Sequence, residues 1–191
     1  MNRLTNAAVL AIAALAAAVA TGCSAASSGG NSAGGGDFLT DGHAVVSALD
    51  AIAAKSGTPM RITNISADGV SGLSVDVQEP KNHINVDRYV VASNGSITGP
   101  TPVKLMSLDG GPVTAASVDQ QAFDPKTVGF VRLSTTVKEA IAKSHYSDAH
   151  VNQWEIGGTG PDDRRYLYLE SERARPVAIL RRDLTIADMR Y

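Results

Sequence analysis

Cysteine is nearly absent: Cys23 is the only one in 191 residues. No disulfide can form within the chain, which excludes the small stapled scaffolds of secreted proteins. A zinc centre built on several thiolates is excluded as well. Aromatic residues make up 5% of the chain, with a single tryptophan, and much of the apolar content is alanine. Large side chains to line a ligand cavity are therefore expected to be scarce. An excess of one charge is lacking too. The chain has 17 basic and 19 acidic residues, a formal net charge of −2, and that balance argues against general nucleic-acid binding. No apolar run reaches the roughly 20 residues of a spanning helix.

What is present begins at the N-terminus. Arg3 precedes an unbroken apolar run of 14 residues, Ala7 to Ala20. A cleavage region of small residues follows. This is the layout of a secretory signal peptide over residues 1–22. The ending Thr21-Gly22-Cys23 resembles the lipobox of bacterial lipoproteins. That resemblance implies cleavage before Cys23 and a diacylglyceryl group on its sulfur, the two-chain anchor that stable membrane attachment requires. It also implies a location on the extracytoplasmic face of the cell membrane. Two other outcomes stay open: cleavage after Ala20 at the Ala18-Val19-Ala20 site, and an uncut anchor. Residues 23–39 then form a lipidated cysteine and a linker. Its Gly/Ser part, Ser24 to Gly36, has no large apolar residue and is expected to be disordered, with a span on the order of 20 Å.

About 155 residues remain, enough for one core. They carry a weak duplication at a spacing near 89 residues. Asp50 to Ser56 resembles Glu139 to Ser144, and Arg61 to Gly69 aligns with His150 to Gly158. Each copy, 40–105 and 125–191, reads as a helix followed by a meander of strands, with 106–124 as the connector. In the first copy Val45, Leu49, Ile52 and Ala53 share a helical face, with Thr40 or Asp41 to start the helix and Gly57 and Pro59 to end it. In the second, Val137, Ala140 and Ile141 form the face, and Thr136 to Glu139 has capping-box spacing. Asp124-Pro125 predicts an added helical turn.

Both 60–66 and 150–156 break strict alternation, as a bulge would. Leu73, Val75 and Val77 alternate cleanly with Ser74 and Asp76. A strand over 86–93 ends at Asn94-Gly95, a two-residue hairpin signal. Strands over 164–172 and 176–182 read as a hairpin, and Asp183 marks a turn before a last strand at 184–190. The fold class expected is α+β: two tandem αββββ-like repeats, rich in antiparallel sheet. This element order resembles tandem PepSY-like units, and also the duplicated layout of secreted β-lactamase inhibitory proteins. The PepSY resemblance implies inhibitory or regulatory binding in the bacterial envelope.

No catalytic constellation emerges. Gly69-Val70-Ser71-Gly72 lacks the spacing of a nucleophile elbow. His43, His83, His145 and His150 are scattered and form no metal-ligand pattern. Gly157-Gly158-Thr159-Gly160 runs into Pro161 rather than a Lys-Ser/Thr ending and a helix, so it reads as a hairpin loop. Glu170 and Glu172 share one strand face, whereas paired catalytic carboxylates come from facing elements. No enzyme activity, cofactor or metal is expected. Seven arginines between residues 164 and 190, with Tyr166, Tyr168 and Trp154 nearby, have the composition of binding hot spots. The expected partner surface is Trp154, Arg164, Arg165, Tyr166, Tyr168, Arg181 and Arg182. An exposed sheet face whose arginines pair with Glu170, Glu172, Asp183 and Asp188 accounts for the same residues. The function expected is a membrane-anchored interaction or regulatory module with an envelope protein as partner. The alternative is a carrier of an apolar envelope ligand such as a lipid.

Overall fold

The computed structural model describes residues 35–106, 111–158 and 164–191. The segments expected to be a signal peptide and a lipobox-like ending at Cys23, and most of the expected linker, lie outside the described residues.

Helix α1 (Gly42–Ser56) starts where the sequence places it. The Asp41 carboxylate accepts from the backbone N–H groups of His43 at 2.8 Å and Ala44 at 3.3 Å, the usual answer to unpaired N-terminal donors. Gly57, at φ 98°, ends it. Val45, Ala48, Leu49 and Ile52 are buried along one stripe. At Gly42 a Cβ would lie 1.7 Å from the carbonyl oxygen of Phe130. Only glycine lets the helix approach that segment so closely.

The described part of the connector, 111–124, contains regular structure. It holds a short helix, α2 (Ala115–Gln121), with a reciprocal cap between Thr114 and Ser117. Serine in place of the usual glutamate hides this cap in the sequence. The turn expected at Asp124-Pro125 is a 3-10 turn, Pro125–Thr127, and a second follows at Phe130–Arg132. The latter runs directly into helix α3 (Leu133–Ser144). Thr136 is therefore not a cap. It lies inside α3, fully buried, and its hydroxyl donates to the Leu184 carbonyl at 2.7 Å. Glu139 reaches Arg132 instead, at 3.2 Å.

Strands β1 (Ile62–Asp68), β2 (Gly72–Gln78), β3 (Val86–Val91) and β4 (Ile97–Pro102) form one meander. Strands β5 (His150–Gly157), β6 (Arg164–Glu170), β7 (Val177–Leu180) and β8 (Ile186–Arg190) form another. The two join through β1 and β5, giving a fully antiparallel sheet ordered β4-β3-β2-β1-β5-β6-β7-β8. Among the described residues the chain thus runs helix, four strands, connector, helix, four strands, an α+β fold rich in sheet.

Register shifts fall at Ile62/Asn64 and at Val151/Gln153, the two stretches expected to bulge. The hairpin at Asn94-Gly95 is longer than the two-residue turn expected. Ala92 and Ser96 close it, with Gly95 at φ 82°, which is a turn followed by one left-handed residue. Leu184 is not part of the last strand. It is a fully buried turn residue at φ 61°. One sheet face packs its apolar side chains against the helical layer; Ile65, Val75, Leu73, Leu167 and Leu169 are among them. The other face carries the alternate residues, including Ser74, Arg88, Glu155, Tyr166 and Tyr168.

Candidate functional site

Trp154 does not belong to a surface. It is 1% exposed, its ring centroid lies 5.9 Å from that of Phe130, and its Nε1 donates to the Phe38 carbonyl at 2.9 Å. The bulge at Val151/Gln153 resets the alternation so that Trp154 and Ile156 point into the core. Its indole N–H keeps a partner there, as a buried tryptophan requires.

The other residues of the expected surface are divided. Tyr166 and Tyr168 are half-buried on the open sheet face, their rings 6.0 Å apart, opposite Ile179 and Val177 of β7. Arg165 and Arg182 line a small depression with Phe123, Val128 and Ile156 on the helical side. Arg181 is exposed in the β7–β8 turn and donates to the Ile186 carbonyl at 3.2 Å. The Arg164 side chain lies outside what is described. Glu170 holds Arg175 at 3.2 Å, one of the ion pairs anticipated for a solvated face.

A further concave feature is one that no local sequence pattern discloses. A groove of about 840 Å³ runs along α1. Leu49, Val128 and Phe130 are buried at its floor, Met60 and Val46 are half-buried beside them, and Val131 is 63% exposed on its wall. Aromatics are hardly needed. Ala53 and Ala54 on the α1 flank are too small to fill the space between the helix and the 3-10 turns. Asp50 and Lys126 stand at the rim, both exposed.

A second depression of about 540 Å³ shares Pro59, Met60 and Asp124 with the first and adds Arg61, Thr127 and Arg182. Arg61 is fixed by its Nη2, which donates to the carbonyls of Asp119 at 2.9 Å and Ala122 at 2.6 Å. Asp124 is fixed by accepting from the Lys126 N–H at 2.9 Å. The result is an apolar trough opening into a basin that carries both signs of charge.

Behind the basin, the end of α2 is latched to the β2–β3 loop. The Asp119 carboxylate accepts from Gln78 Nε2 at 2.8 Å and lies 2.9 Å from His83 Nδ1. The Gln78 bond, then the His83 bond, hold the Asp119 carboxyl below the usual carboxylate range. On the open face, Asp76 takes a bidentate contact from Arg88 at 2.7 and 2.8 Å. Its carboxylate is nearly enclosed, and the hydrogen bond to it raises the Arg88 pKa further. Neither cluster contains a nucleophile paired with a base. Among the described residues no group of three or more histidine, cysteine or acidic side chains is placed to hold a metal ion. No described helix is long and apolar enough to cross a membrane.

No protein-family model matches the chain, and no curated protein matches it. A crystal structure of a candidate lipoprotein from Clostridium difficile 630 aligns with it at 13% identity and a TM-score of 0.49, over 81% of this chain and 94% of that one.

Proposed function

We propose that the chain is an envelope lipoprotein, held by a diacylglyceryl group on Cys23 at the extracytoplasmic face of the cell membrane. Its domain binds a ligand rather than catalysing a reaction, and its αββββ order in two copies reflects a duplicated PepSY-like unit. The observation that carries the binding reading is the groove beside α1. Its volume of about 840 Å³ falls within the range usual for small-molecule sites, and its floor is apolar with a few polar groups at the rim. Such a groove suits a carrier or sensor of an apolar envelope ligand. Native mass spectrometry of the full chain after mild extraction tests this. A co-purified lipid that Val131→Asp removes is the expected result, and a ligand-free mass at every extraction strength overturns it. For the anchor, Cys23→Ser releases the chain from the membrane fraction; retention unchanged in that variant overturns the lipoprotein assignment.

A protein-interaction module is the second reading. It is favoured by the half-buried Tyr166 and Tyr168 on the open sheet face beside Val177 and Ile179. Amphipathic aromatic surface of this kind is common in protein interfaces. Cross-linking in intact membranes, with loss of a protein neighbour on Tyr166→Ala and Tyr168→Ala together, is its test.

A further inference from the structure

We infer that the ligand of the α1 groove is an anionic single-chain amphiphile, with its acyl chain in the trough and its acidic headgroup on Arg182. The inference rests on the ligand-binding reading above and names the chemistry of the ligand.

Continuity is the first support. The trough and the basin share Pro59, Met60 and Asp124, so the two depressions adjoin and an elongated molecule can lie across both. Polarity changes along that path. The trough has Leu49, Val128 and Phe130 at its floor, whereas the basin carries two guanidinium groups, Arg61 and Arg182. A molecule with one apolar end and one polar end matches this gradient, and a uniformly apolar one does not.

Charge gives the sign. The basin sets Arg61 and Arg182 against one carboxylate, Asp124, which is already accepting from the Lys126 backbone. Arg61 is held by two backbone carbonyls and acts as a fixed positive charge. Arg182 differs from it. Arg182 is exposed, and its side chain makes no hydrogen bond or ion pair within the described residues. A planar guanidinium without a partner is suited to bidentate capture of a carboxylate or phosphate. A single chain is specified because the trough is one channel, bounded on one side by α1 and on the other by the 3-10 turns at Pro125–Thr127 and Phe130–Arg132.

Equilibrium dialysis of the full chain against palmitate and against the neutral monopalmitoylglycerol tests the assignment, since the two probes share a chain and differ in headgroup. Palmitate is expected to bind roughly tenfold or more tightly than the neutral probe, the effect of one hydrogen-bonded charge pair. Arg182→Glu should erase that preference, with a urea midpoint close to that of the parent chain showing that the variant is folded. Val131→Asp, at an exposed wall position, should weaken both probes. Equal affinity for the two probes in the parent chain, or a preference that survives Arg182→Glu, overturns the headgroup assignment and leaves the groove reading standing. Binding of neither probe, or binding of both unaffected by Val131→Asp, overturns the groove reading as well.

Discussion

The two long helices lie on the same side of one sheet, yet they are secured differently. α3 is tied by hydrogen bonds. Thr136 donates to Leu184 at 2.7 Å, and the Tyr191 hydroxyl donates to the Lys143 carbonyl at 2.7 Å. The Tyr191 ring also stacks on His145, with centroids 6.0 Å apart. α1 has no side-chain hydrogen bond to another element among the described residues, and the Ser56 hydroxyl near its end is buried without a partner. Apolar packing and the close fit at Gly42 hold it. The contrast explains where the groove lies. A helix bonded to its neighbours closes its flanks, whereas a helix held only by its buried stripe leaves the alanine-lined side open. The candidate site therefore sits against the less constrained helix, where a ligand can replace missing contacts.

The strongest way to break the contrast is at the residue that both halves share. Trp154 lies on β5 opposite Ala67 of β1, at the join of the two meanders, and it packs on Phe130, which floors the groove. Truncation to alanine leaves a cavity and an unpaired Phe38 carbonyl. Trp154→Ala should cost about 3–5 kcal/mol, read as a lowered midpoint in urea. A loss below about 1 kcal/mol would show that the two meanders do not depend on a common core.

A smaller effect sharpens the difference between the helices. Thr136→Val keeps the shape of the side chain but leaves the buried Leu184 carbonyl without its donor. It should cost about 1–3 kcal/mol. Asp41→Ala removes only the cap of α1, at an exposed end, and should cost about 1 kcal/mol. Equal losses, or a larger one at Asp41, would contradict the view that polar ties secure α3 more than α1.

The legible and illegible parts of the molecule divide along the range of the interactions. α1 was readable because Asp41, the Val45-Leu49-Ile52 stripe and Gly57 all act within a few residues of one another. The same local reading misplaced Thr136. Its spacing to Glu139 imitates a cap, but α3 begins from the preceding 3-10 turn, at Leu133 rather than at Val137, where that cap would place it. Trp154 shows how one bulge changes an assignment. The irregularity over 150–156 is legible in the sequence, but which side chains it turns inward depends on the register with β6, a long-range pairing. The arginines and tyrosines read as one surface because they are close in sequence, while strand alternation sends Tyr166 and Arg165 to opposite faces. The groove could not be read at all. It brings α1 beside residues 124–131 and the β7–β8 turn, and no local pattern encodes that meeting.

The smallest expected effect concerns acid, and it separates the latched connector from the unlatched α1. Asp119 fastens the end of α2 through Gln78 and His83, and its carboxyl is held below the usual range, first by the Gln78 bond and then by the His83 bond. A depressed carboxyl favours the folded state wherever the unfolded chain would bind the proton more readily. That contribution is complete above the ordinary carboxylate pKa of about 4. It disappears as pH falls through the lower folded-state value. Because Asp119 is solvent-accessible, water and salt screen the effect, so the change should be modest. The measurement is the urea midpoint of the parent chain minus that of Asp119→Ala, followed from neutral pH into acid. The difference should shrink below about pH 4. Hydrogen exchange in α2 should accelerate over the same interval, while α1, with no such latch, should respond only with the whole domain. A difference that grows below about pH 4, or an α1 that opens together with α2 before global unfolding, would show that the connector is not held by this carboxylate.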